Sequence, residues 1–190
     1  MHYCCIVFTK EFPTDTVLSG MLAPFNEEAF YEQPEETRQR PTMLWDWYSV
    51  GGRYHGGLKL EIRDNDPVYK WEFYAREPRT GRLFRSKLLE KMKELSSRAP
   101  HFYDSEEDYY RAMGSRDGFL YVDGAPILDV KDPESIGSYW AISSSGEAIS
   151  RESWNGDKFI DDPDYDEKFK KLVNDAKERG EYVCIVDTHD

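Results

Sequence analysis

The sequence predicts an α+β fold, an antiparallel sheet with helices packed on one face, with a ferredoxin-like arrangement as one form it could take. Three observations lead there. The two ends of the chain, residues 2–9 (HYCCIVFT) and 181–190 (EYVCIVDTHD), are short, β-branched and apolar on both faces, as central strands are. Between them lie segments with period-two alternation, separated by Gly, Asn and Asp turns. Two other stretches, 86–99 and 162–180, carry apolar residues at helical spacing.

The first element, residues 2–9, must sit inside a sheet to bury both faces, and the matched last strand is its natural neighbour. Residues 11–42 follow as a long, partly helical excursion broken by Pro24, Pro34 and Pro41, with a short helix opened by Thr14 or Asp15. After Gly57, Leu58, Leu60 and Ile62 alternate with Lys59, Glu61 and Arg63, a half-buried strand. Asn65-Asp66-Pro67 reads as a turn, and VYKWEFYAREP (68–78) as the partner strand of that segment. A turn at Thr80-Gly81 precedes a helix capped by Ser86, with Leu88, Leu89, Met92 and Leu95 as its apolar stripe. GFLYVDGAPILDV reads as a hairpin about Asp123-Gly124. SYWAISSSGEAISRESW reads as another strand pair, turning at Ser145-Gly146. The second helix buries Phe169, Leu172, Val173 and Ala176 and ends at Gly180. The organisation expected is one domain over residues 1–190, with insertions at 11–42 and 99–117.

Composition narrows the function classes. The chain has 190 residues, 33% of them charged, with a formal net charge of −12. Aromatics reach 15%, with 13 Tyr, 10 Phe and 5 Trp, a load that disordered acidic chains lack. A net charge of −12 disfavours nucleic-acid phosphates and anionic membrane surfaces as partners. Plain solubility accounts for it, and it also suits a basic protein partner or mimicry of nucleic acid. The three cysteines, Cys4, Cys5 and Cys184, lie in apolar runs with no CxxC, so they read as buried free thiols of a reducing cytoplasm. No apolar run approaches membrane-spanning length and no signal-peptide pattern is present, which predicts a cytoplasmic protein. P-loop, dinucleotide-binding, GxSxG and EF-hand patterns are all missing from the sequence. No cofactor and no metal centre is therefore predicted.

The densest feature is Trp45-Asp46-Trp47-Tyr48-Ser49-Val50-Gly51-Gly52-Arg53-Tyr54-His55-Gly56-Gly57. Two glycine pairs flank Arg53 and His55, allowing positive φ and close backbone approach. Extended, Trp45 and Trp47 would share one face and Asp46 the other. One reading is a ligand-binding pocket of Trp45, Trp47, Tyr48, Gly51, Gly52, Arg53, His55 and Trp140. The structural alternative is an Asp46–Arg53 ion pair locking a bend. The second feature is Asp187-Thr188-His189-Asp190, whose i, i+2 spacing puts Asp187 and His189 on one strand face, as an orienting pair or two metal ligands, with a solvated polar tail as the structural alternative. Asp46, Arg53, Asp187 and His189 are the catalytic candidates. His2 and His101 read as isolated surface residues. Tyr103, Tyr109 and Tyr110, beside Asp104, Glu106, Glu107 and Asp108, form a candidate partner patch.

The run WDWYSVGGRY, with SYWAISSSGEAISRESW and the terminal VDTHD, resembles a group of uncharacterised bacteriophage and bacterial proteins. These carry a WDWYxxGGRW run, a Gly-Trp-Trp-Gly-like segment in the second half and a VDCHI-like end. The matching positions are Trp45, Asp46, Trp47, Tyr48, Gly51, Gly52, Arg53, Trp140, Trp154, Asp187 and His189, within 1–9, 43–60 and 119–190. Tyr54, Thr188 and Asp190 depart from the pattern, and 11–42 and 99–117 look like additions. The resemblance implies a phage or mobile-element setting and no mechanism. The leading expectation is a non-catalytic accessory protein that binds a host or phage protein, with a homodimer also compatible. The alternatives are a small enzyme or nucleotide-like ligand binder using Asp46, Arg53, Asp187 and His189, and an acidic nucleic-acid mimic.

Overall fold

The computed structural model describes residues 1–36, 38, 41, 43–54, 56–61, 74–76, 83–84, 102–103, 119–155 and 157–190. These residues form an α+β fold around a mostly antiparallel sheet. The chain opens with β1 (His2–Thr9), α1 (Asp15–Leu22), a 3₁₀ turn (Ala23–Phe25) and α2 (Glu27–Tyr31). It continues through β2 (Trp47–Val50), a 3₁₀ turn (Gly52–Tyr54), β3 (Leu58–Glu61), β4 (Tyr74–Arg76), β5 (Leu83–Phe84) and β6 (Phe102–Tyr103). Then come β7 (Phe119–Val122), β8 (Gly124–Pro126), two 3₁₀ turns (Ile127–Asp129 and Pro133–Ser135), β9 (Trp140–Ile142) and β10 (Ala148–Ser150). The chain closes with β11 (Glu152–Trp154), β12 (Phe159–Asp161), α3 (Tyr165–Arg179) and β13 (Tyr182–His189).

The main sheet runs β10-β9-β1-β13, and β2 and β8 share the outer edge of β13. The two ends of the chain pair as expected. β1 and β13 are antiparallel over their whole length, from His2↔His189 to Thr9↔Tyr182. β9 lies parallel to β1 on the other side.

Alternation along β1 and β13 sorts their side chains between two cores. Cys4, Ile6, Phe8, Val183 and Ile185 pack with Phe169, Leu172, Val173 and Ala176 of α3. Cys5, Val7, Cys184 and Val186 pack with Leu18 and Leu22 of α1 and with Phe25 and Trp140. The layer predicted for one face is α3, and α1 adds cover on the other. Strands apolar on both faces require it, because each exposed apolar face would cost about 25 cal/mol per Å². Both helices carry the predicted ends. Thr14 caps α1 by accepting the Val17 N–H at 3.3 Å. Gly180, at φ 63°, ends α3 and donates to the Ala176 and Lys177 carbonyls.

The strand pair at Ser145-Gly146 is present as β9 and β10, with Gly146 at φ 88°. Two strand pairings differ from expectation. β3 pairs with β7, whereas residues 74–76 of the presumed partner strand form β4, which pairs with β5 and β6. The segment about Asp123-Gly124 is a crossover and not a hairpin, since β7 joins β3 while β8 joins β13. Asp123 holds that crossover. Its buried carboxylate accepts the Gly56 N–H at 2.7 Å, and its carbonyl accepts the Ile185 N–H at 2.7 Å. The helix predicted over 86–99, the turns at 65–67 and Thr80-Gly81, and most of 99–117 lie outside the described residues. All three cysteines are free and buried. Among the described residues, no helix is long and apolar enough to cross a membrane.

Candidate functional site

The site is a row of side chains at one end of the sheet, on the face that α3 covers further down. Even positions of β1 and odd positions of β13 share that face, so His2 stands opposite His189 in register. Trp47 of β2 stands opposite His189 on its other side. The three rings form a cross-strand ladder. The imidazoles of His2 and His189 meet edge-on with centroids 5.1 Å apart. The Trp47 indole lies flat on His189 at 5.4 Å, tilted by 13°, and edge-on to His2 at 5.3 Å.

Each imidazole is held by its own carboxylate. His2 Nδ1 lies 2.9 and 3.1 Å from Asp187 Oδ1 and Oδ2. His189 Nδ1 lies 3.0 and 3.1 Å from Asp46 Oδ1 and Oδ2. A carboxylate only accepts, so both Nδ1 atoms carry the proton and a neutral ring keeps Nε2 as the acceptor. The Met1 amine lies 3.4 Å from His189 Nε2 and also donates to the Asp190 carbonyl.

The two pairs differ in environment. Asp187 is 1% exposed, and its Oδ2 also accepts the Arg53 backbone N–H at 2.9 Å. Asp46 is exposed and sits at a bend just before β2, where its Oδ1 accepts the Trp47 N–H at 2.7 Å and its own N–H donates to the His189 carbonyl at 2.9 Å. Burial raises the Asp46 pKa, but the His189 and Trp47 hydrogen bonds and the imidazole charge together outweigh it. The carboxyl is held below its ordinary value.

The glycine-rich run is what lets Arg53 reach Asp187. Gly51 and Gly52 adopt φ 69° and 51°. The Gly51 N–H donates to the Ile185 carbonyl at 2.9 Å, pinning the bend to β13. A Cβ on Gly52 would overlap the Cβ, Cγ and Oδ2 of Asp187. Tyr54 closes the site from beneath, its hydroxyl donating to the His2 carbonyl at 3.1 Å. Beside it stands Cys4, opposite Asp187 in register. Burial, and after it the Asp187 charge, push the Cys4 thiol up to about 12. The thiol is therefore protonated at neutral pH and does not serve as the nucleophile of these imidazoles.

Of the candidates read from sequence, Asp46, Trp47, Gly51, Gly52, Arg53, Asp187 and His189 come together here. Arg53 takes part through its backbone, while its side chain is exposed. The carboxylate of Asp46 binds His189 and not Arg53, and that of Asp187 binds His2 and not His189, so the presumed Asp46–Arg53 and Asp187–His189 pairs are both replaced. Trp45 and Trp47 do not share a face. The bend at Asp46 interrupts the alternation, and Trp45 turns to the α1 side with its Nε1–H on the Leu22 carbonyl at 2.9 Å. Tyr48 goes with it, edge-on to Trp45 at 5.1 Å. Trp140 is fully buried on that side, donating from Nε1 to Thr188 Oγ1 at 3.1 Å, and lines no site. His55 lies outside the described residues. His2 is the residue the sequence reading passed over. The signal was available, because pairing the first and last strands end to end sets His2 against His189. Among the described residues, no group of three or more His, Cys, Asp or Glu side chains is arranged to hold a metal ion.

Comparison with protein-family models, with curated proteins and with solved structures finds no match to this chain.

Proposed function

We propose that the protein is a small enzyme that moves protons between its two aspartate-held imidazoles and a small, nucleotide-like substrate. One observation carries the reading. Two His–Asp pairs stand side by side on one sheet face, their rings 5.1 Å apart and both Nδ1 atoms engaged. An imidazole so oriented offers Nε2 as a general base, and its protonated neighbour supplies the acid for the leaving oxygen. Trp47, 43% exposed, gives a ring-bearing substrate a surface on which to stack. The test is turnover of p-nitrophenyl acetate and of a p-nitrophenyl nucleotide diester by the full chain. His2→Ala and His189→Ala should each lower kcat by about 100-fold or more, because each acid or base contributes about 10²–10⁴. Turnover of both substrates no faster than by the double variant, or single variants that keep wild-type rates, contradicts the reading.

A second reading keeps the phage-type accessory role, in which the protein binds a host or phage protein partner, with a homodimer as one form. Its support is the β11–β12 hairpin, where Trp154, Phe159 and Ile160 are all exposed and Trp154 meets Phe159 edge-on across the pair at 5.2 Å. Clustered exposed aromatics of this kind are enriched at protein interfaces. Absence of turnover would leave this reading in place.

A further inference from the structure

The β11–β12 hairpin belongs to neither core and holds its large apolar side chains in solvent. Trp154, Phe159 and Ile160 are 45%, 48% and 44% exposed. Among the described residues, the two strands pair only with each other. A lone two-stranded hairpin is marginal in water and is stabilised by a third strand or a packed face.

The register shows which edge is open. The Asn155 N–H donates to the Lys158 carbonyl at 3.1 Å, and the Asp162 N–H to the Arg151 carbonyl at 2.6 Å. Hydrogen-bonded and non-hydrogen-bonded pairs alternate along an antiparallel ladder. Trp154↔Phe159 and Glu152↔Asp161 are therefore the non-hydrogen-bonded pairs, and their backbone groups point away from the hairpin. On β11 the Glu152 N–H turns back to Ser150 Oγ at 3.3 Å. On β12 the outward N–H and carbonyl groups of Phe159 and Asp161 meet no partner among the described residues. β12 thus presents an open edge.

The side chains along that edge set its chemistry. Alternation puts Trp154, Phe159, Glu152 and Asp161 on one face, and Ser153 and Ile160 on the other. An aromatic pair therefore adjoins a carboxylate pair. The Tyr139 hydroxyl donates to Glu152 Oε2 at 2.5 Å. Burial raises the Tyr139 pKa first, and the Glu152 and Asp161 carboxylates both add to it, so the two charges act on one spot. Over residues 152–161 three carboxylates stand against one ammonium, that of Lys158. Aromatic faces beside carboxylates suit a guanidinium or ammonium on an aliphatic stem. A second copy of this chain, also of net charge −12, would set these carboxylates against their own kind.

We propose that β12 takes up an extended, basic segment of a partner protein as a third strand. Backbone bonds to Phe159 and Asp161 fix its register, as in other cases of strand addition. Alternate residues place their cations by the Trp154–Phe159 and Glu152–Asp161 pairs, and the apolar residues between them cover Ile160. The inference names the partner of the protein-binding reading and rests on it, independently of the acid–base reading.

Calorimetry and ¹H–¹⁵N spectra of the full chain test it with three acetylated hexapeptides at matched ionic strength. These alternate leucine with arginine, with serine or with glutamate. The arginine peptide should bind saturably and most tightly, with shifts centred on residues 152–161 and slowed exchange of the Phe159 and Asp161 amides. Trp154→Ala with Phe159→Ala should weaken it about tenfold or more, the scale of truncated aromatic anchors. Asp161→Asn should narrow the gap between the arginine and serine peptides. Glu178→Gln, which removes an exposed charge at the other end of α3, should bind as the wild type does. All these positions are exposed, and unchanged β1 and β13 amides confirm that the variants fold. Preference at the hairpin for the serine or glutamate peptide overturns the inference and leaves the protein-binding reading standing. So does a concentration-dependent dimer through the hairpin. Binding of no peptide there, or arginine-peptide binding that survives both the aromatic double variant and Asp161→Asn, overturns the inference and removes the hairpin as support for that reading.

Discussion

Replacing Gly52 with alanine should cost about 2–5 kcal/mol of folding stability and break the buried half of the site. The figure combines two penalties. Overpacking a filled position costs about 1–3 kcal/mol, and holding a side chain in the left-handed region costs about 1–2 kcal/mol more. Both apply at this residue, where φ is 51° and a new methyl would meet three atoms of Asp187. The overlap cannot be relieved by a flexible side-chain tip, because Asp187 is buried and tied to His2 and to the Arg53 N–H. Urea unfolding checks the loss. The comparison is Gly146→Ala, which also has positive φ (88°) but meets nothing within 4 Å. It should show only the backbone penalty. Equal losses at the two glycines would mean that contact with Asp187 is unimportant.

Trp140→Ala should be the most destabilising single truncation on the α1 side, at about 3–5 kcal/mol, the usual range for a buried Trp. The indole is fully buried, packs edge-on to Phe25 at 5.4 Å, and supports β13 from beneath through its bond to Thr188. Thr188 lies between Asp187 and His189, so the indole props the strand that carries both. Trp140→Phe keeps most of the volume and should lose much less. If Trp140→Ala instead left stability intact and removed ligand binding, the indole would be a pocket wall, as its sequence context had suggested.

These two residues show what could be read from the sequence and what could not. The apolar ends of the chain announced their pairing, because a strand apolar on both faces has few places to go. That pairing allows the glycine run to meet Asp187, and the structure contains the contact. Partners set by a bend were not legible. Asp46 leaves the strand to accept the N–H of its own neighbour, and this divides Trp45 from Trp47. Nor does a hydrophobic pattern say to which sheet a strand belongs. β7 and β8 have the look of a hairpin, and the bonds of buried Asp123 to Gly56 and Ile185 help hold them apart. His2 was missed for a simpler reason, since a lone histidine in a strand has no local signature and acquires its meaning from a residue 187 positions away.

Long-range ¹H–¹⁵N spectra of the imidazole rings test the site most directly. With both rings neutral, the two-pair arrangement predicts that His2 and His189 each carry the proton on Nδ1 and leave Nε2 unprotonated. Asp46→Ala should release His189 to the tautomer mixture of a free imidazole and leave His2 unchanged. A wild-type spectrum with the proton on Nε2 of either ring, or an Asp46→Ala spectrum in which His189 does not move, would contradict it.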